Sequence, residues 1–157
     1  MSPSRRLDPL LRRAQDREDE VAKALAERQR TLDMHQSRLS ELRQYADEYA
    51  NAQLATTSAA QLMNRRAFLD RLDNAVQAQS KTVDSNQERV EAERARLLLA
   101  SRDKAVLEQL AASYRAQEKQ AADRRDQREM DDVGARRARL AQTAADPDDP
   151  DDQGESR

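Results

Sequence analysis

His35 is the only histidine in the chain, and there is no cysteine. Acid–base or nucleophilic catalysis would need a second titratable partner held beside it, and metal binding would need further ligands of suitable type. The acidic residues recur at helical spacing beside Arg and Lys, which is the pattern of a solvated helix face. No Gly-rich phosphate loop is present. His35 therefore reads as a polar layer inside a helical core, and the chain is expected to be no enzyme, with no cofactor and no metal. A different chemistry is suggested by Tyr45, Tyr49 and Phe68. They are three of only four aromatic residues, and all lie within a short distance of one uncharged stretch, "YANAQLATTSAAQLMN", residues 49–64. Rings concentrated in this way suit contact with another protein.

The elements that must position these rings follow from composition. Only 37% of the 157 residues are apolar and 3% aromatic, whereas 37% are charged. A globular core of ordinary size cannot be filled from such material. Long helices can be, because Ala, Leu, Arg, Gln and Glu lose little rotamer freedom in a helix. Pro and Gly are absent between residues 10 and 133. The formal net charge of −2 does not suit a binder of phosphate backbones, so no nucleic-acid partner is expected. Arg5 and Arg6 are not followed by an apolar segment, and the longest apolar run, Leu97 to Ala100, is far too short to span a bilayer. A cytoplasmic protein is the expectation.

A seven-residue rhythm begins after "LDPLL", where Asp8 offers an N-cap and Pro9 a first helical residue. Its seam carries Leu11, Val21, Leu25, Leu32 and Leu39, continuing to Leu42 and Tyr49. A second rhythm, out of phase with the first, starts at Leu62 and carries Leu69, Val76, Val83, Val90, Leu97 and Leu107, with Arg65, Leu72 and Gln79 in its alternate column. Between the two, Ser58 and Gln61 form a capping-box pattern. These features predict an all-α fold of two long helices in an antiparallel coiled-coil hairpin with a C-terminal helical overhang. The expected divisions are a flexible N-terminus over 1–8, helix one over 9–56, a turn at 57–58, and helix two over 59–143. Within helix two about 112–143 is unpaired, and 144–157 is an acidic disordered tail. Folding near residue 59 levels Leu11 with Leu107, Val21 with Leu97, and His35 with Val83. It also sets Glu18 against Ala100 and Glu93 against Leu25. The hairpin is expected to be monomeric when free.

Tyr45, Phe68 and Ala75 fall beside the seam, next to Leu42, Tyr49 and Leu72. Together these six residues form the candidate partner-binding patch.

The segments "LRQYADEYA", "NRRAFLDRLDNAVQAQ" and "DQREMDDVGARR" resemble the FliJ family of the flagellar type III export apparatus over roughly residues 5–140. The resemblance implies a non-catalytic coiled-coil stalk similar to that of rotary ATPases. It implies three partners: a hexameric export ATPase whose ring it helps assemble, a membrane export gate, and export chaperones that it escorts. It also implies a cytoplasmic location at the inner-membrane base of the flagellum, touching the membrane only through the apparatus. The family's gate-contacting patch maps onto Leu42, Tyr45, Tyr49, Phe68, Leu72 and Ala75. Arg38 and Gln79 depart from the family pattern, in which Gln and His can occur. The corresponding stalk of a virulence injectisome, or a generic coiled-coil scaffold pairing between chains, would share most of these features.

Overall fold

The computed structural model describes residues 1–52 and 58–145. Two helices account for nearly all of them: α1, Pro3–Asn51, and α2, Ala59–Ala145. At about 1.5 Å per residue, α1 is about 74 Å long. The chain divides into two compact units, one of Leu7–Glu108 and one joining Met1–Arg6 to Gln109–Arg157.

Within the first unit the helices run antiparallel. Contacts along α2 meet progressively earlier residues of α1: Tyr49 with Phe68, His35 with Gln79, Gln29 with Arg94, and Glu18 with Lys104. The core is the seam itself. Leu32, Leu39, Val83 and Val90 are buried, with Leu25 and Val76 packed against them. Val90 is the most enclosed, at 1% exposure. Leu11, Val21, Leu69, Leu97 and Leu107 are half-buried. That is the ordinary state of seam residues in a coil of only two helices, where no third element covers their outer side. Leu62 departs from the expected seam: it is exposed, because it stands in the first turn of α2.

The polar seam positions find polar partners that the levelling did not name. Gln79 Nε2 donates to His35 Nδ1 (3.1 Å) and to the His35 carbonyl (3.0 Å). His35 is thus held by Gln79. A carboxamide nitrogen only donates, so Nδ1 accepts and the ring proton sits on Nε2. Glu18 pairs with Lys104 at 3.3 Å, and Glu93 with Arg96 on its own helix at 3.3 Å. Asn86 Nδ2 donates to the Thr82 carbonyl (2.8 Å). Levelling Cα positions names which residues share a height on the seam but not the polar partner of a long side chain.

Several expected boundaries shift. Helix one starts at Pro3, so residues 3–8 are helical rather than a flexible lead, and Pro9 lies inside the helix. Ser2-Pro3 offers the same start signal as Asp8-Pro9, and the Ser2 carbonyl accepts from the Arg6 N–H (3.3 Å). The earlier start is held in the second unit. There the Ser4 N–H and hydroxyl both donate to the Glu118 carboxylate, at 2.9 and 2.7 Å, and Ser4 is buried. The uncovered part of α2 therefore begins at Lys119 rather than near 112; every residue from 119 to 145 is exposed. Helix one stops at Asn51, short of 56, and α2 continues through Ala145. Thr57, half of the expected turn, and the tail from 146 to 157 lie outside the described residues.

Candidate partner-binding surface

The end of the hairpin near Asn51 and Ala59 lies between two helix termini, whose backbone groups need partners. At the start of α2, the Ser58 N–H donates to Gln61 Oε1 (3.2 Å) and the Gln61 N–H donates to Ser58 Oγ (3.3 Å). These reciprocal bonds make a capping box. At the end of α1, the last carbonyls are taken by the facing helix. Arg65 Nη2 is shared among the carbonyl oxygens of Tyr49 (3.2 Å), Ala50 (2.8 Å) and Ala52 (3.0 Å). A guanidinium at a helix C-terminus also complements the negative end of the helix dipole. Sequence reasoning placed Arg65 only in a seam column. The signal was available: cations at Arg65 and Arg66 open α2 opposite a helix end that has no basic residue in its last turn.

Arg65 fixes the backbone that carries Tyr49, and Tyr49 begins the aromatic cluster. The rings of Tyr49 and Phe68 are 4.6 Å apart at 60°. Tyr45 also meets Phe68, at 6.4 Å and 83°, an edge-to-face contact. Such pairs contribute about 0.5–1.5 kcal/mol beyond area burial, so the cluster clamps the hairpin here as well as presenting a surface. Tyr45 remains 51% exposed, and Leu42, Tyr49, Phe68 and Ala75 are partly covered.

Leu72 differs from the other five residues. At 8% exposure it is buried, so it supports the cluster from within the hairpin instead of lying on the surface. Its column faces the opposite helix once the hairpin closes, which removes it from solvent. Beside the rings, Arg38, Glu41, Leu42, Tyr45 and Gln79 line one open depression. The two positions that depart from the family pattern, Arg38 and Gln79, thus share a rim with Tyr45, and Gln79 is at the same time tied to His35. Sequence reasoning also overlooked Met63, which with Leu62 places exposed apolar side chains in the first turns of α2.

Among the described residues no group of three His, Cys, Asp or Glu side chains is placed to hold a metal ion. Among the described residues no helix is long and apolar enough to cross a membrane. What this surface offers chemically is an apolar, ring-lined contact with a polar rim.

The family profile described as "Flagellar FliJ protein" matches residues 3–143. No curated protein and no solved structure matches the chain. The matched span covers both helices almost end to end and includes the aromatic cluster, Arg65 and the exposed part of α2. The chain belongs to the FliJ family, and its general role lies in flagellar protein export.

Proposed function

We propose that this chain is a non-catalytic stalk of the export apparatus, working between a hexameric export ATPase and the membrane export gate and escorting export chaperones. The observation that carries this reading is the coincidence of the family match over 3–143 with a two-helix hairpin in which three of the four aromatic residues gather at one end. In this reading the ring-lined surface of Tyr45, Tyr49 and Phe68, flanked by Leu42 and Ala75 and backed by Leu72, meets the gate. The opposite end enters the ATPase ring or receives chaperones. An asymmetric rod inside a ring touches its subunits unequally, so it biases their conformations as nucleotide turns over. The polar seam of His35, Gln79, Asn86 and Glu93 keeps such a rod pliable.

Two measurements test this. Turnover of the cognate export ATPase, with ring assembly followed in parallel, should rise as the chain is titrated in. It should saturate near one chain per six ATPase subunits; no effect from a folded chain overturns the stalk role. For the gate surface the informative substitution is Tyr45→Ala. Its ring is half exposed, so gate binding should fall while helicity is retained. Leu72→Ala is uninformative about binding, because a buried leucine lost from the hairpin costs roughly 2–5 kcal/mol of stability in any case. Undiminished gate binding by a folded Tyr45→Ala chain overturns the assignment of that surface.

A further inference from the structure

The exposed part of α2 carries one organised stripe. Asp126, Met130, Val133 and Arg137 fall at coiled-coil seam spacing, and with Glu129 and Gly134 at the edges they line a single open groove. Met130 is 77% exposed. Among the described residues Asp126, Glu129, Arg136 and Arg137 make no ion pair. Gly134 is a helix-interior glycine with negative φ, and a Cβ there would meet nothing within 4 Å. In a helix interior, glycine costs about 1 kcal/mol relative to alanine, and no contact within the chain accounts for it.

We propose that this stripe is an isologous docking surface for a second copy of the same chain, paired antiparallel about a two-fold axis between residues 131 and 132. Charge complementarity selects both the occupant and the direction. An antiparallel pair sets Met130 of one copy on Val133 of the other. In the same register Asp126 faces Arg137, and Glu129 faces Arg136 across the adjoining flank. Each pairing occurs twice, as two-fold symmetry requires. The two Gly134 residues fall on the same side of the interface, where a missing side chain lets the backbones approach. A parallel pair would stack Asp126 on Asp126 and Arg137 on Arg137. Shifting the antiparallel pair by one heptad would set Arg136 against Arg136. The acidic half of the stripe thus fits its own basic half in one register only.

So short an interface is weak and reversible. Each hairpin remains closed within its own chain, and a dilute solution is monomeric. Because four charge pairs flank two apolar layers, association is sensitive to salt. The stalk role does not require this association, which is tested on the free full-length chain.

The test is sedimentation equilibrium over a range of concentrations at low salt, with circular dichroism to verify that each variant is helical. The wild type should show a monomer–dimer equilibrium that added salt weakens. E129R and R136E, both at exposed positions, should each be monomeric, because each places like charges together twice. An equimolar mixture of the two should recover the dimer, since each variant then faces its opposite. The double variant E129R/R136E should also dimerise. A wild type that stays monomeric at every concentration overturns the proposal and leaves the stripe to a helix of another protein. Single variants that dimerise as well as the wild type, or a mixture that fails to pair, overturn the proposed register.

Discussion

The paired section of the hairpin and the exposed end of α2 are both helical and rich in charge, yet large apolar residues recur along the first and are sparse in the second, and the two differ in enclosure. In Leu7–Glu108, Leu32, Leu39, Val83 and Val90 close on one another, and a polar residue on the seam finds a partner. From Lys119 to Ala145 nothing is covered, and the apolar residues stand alone: Met130, Val133 and Leu140. Helix propensity is similar in both regions, so it does not account for the difference. Packing does. An amphipathic stripe stabilises a helix by burial only where a second stripe faces it.

The largest effect should come from deleting a seam side chain on each side of this divide. Leu32→Ala should lower the stability of the hairpin by roughly 2–5 kcal/mol, read from urea unfolding followed by circular dichroism. Leu140→Ala removes a side chain that is 69% exposed and should change stability by less than about 0.5 kcal/mol. Comparable losses for the two would mean that the exposed region is packed in solution, and the contrast would fail.

Arg65→Ala sharpens the comparison at the end of α1. It strips the side-chain donor from three carbonyls and should cost about 1 kcal/mol, the usual net value of such bonds. Amide exchange should accelerate around Tyr49 and Phe68, while exchange near Val90 should barely change. Equal acceleration at both places would show that Arg65 supports the whole hairpin rather than its end.

The smallest effect concerns the first turn of α1. The Glu118 carboxyl is held below its ordinary pKa, chiefly by the Ser4 backbone N–H and then by the Ser4 hydroxyl, with smaller help from Ser2 and Arg115. A carboxylate whose folded pKa is depressed stabilises the fold above its unfolded pKa. That contribution is lost as pH falls through the folded value. Amide exchange at Ser4 to Arg6, corrected for its intrinsic pH dependence, should therefore show less protection below the ordinary glutamate range. Glu118→Gln should remove that acid step and leave exchange at Val90 unchanged. Persistence of the step in Glu118→Gln would assign it to another carboxylate.

How far the fold could be read from the sequence varies by residue. The seven-residue rhythm of Leu25, Leu32 and Leu39, and of Val76, Val83 and Val90, predicted the helices and their common seam, because a helix buries whatever recurs at its own period. The rings at Tyr45, Tyr49 and Phe68 were legible as a group once the chain was folded back near residue 59. The helix start was not, because Ser2-Pro3 and Asp8-Pro9 carry the same local signal. Only Glu118, more than a hundred residues away, holds Ser4 inside the helix.

The sequence by itself determined that this chain would be two long helices without a globular core, since it contains no breaker between residues 10 and 133 and too little apolar volume for any other solution. It also indicated which residues line the seam, Leu62 excepted. Only the folded chain shows that Gln79 is hydrogen-bonded to His35 and that Arg65 closes the end of the opposite helix. The reason is physical. Periodicity specifies the face on which a residue lies, whereas the partner of a long polar side chain depends on how far and in which direction it reaches across to the other helix.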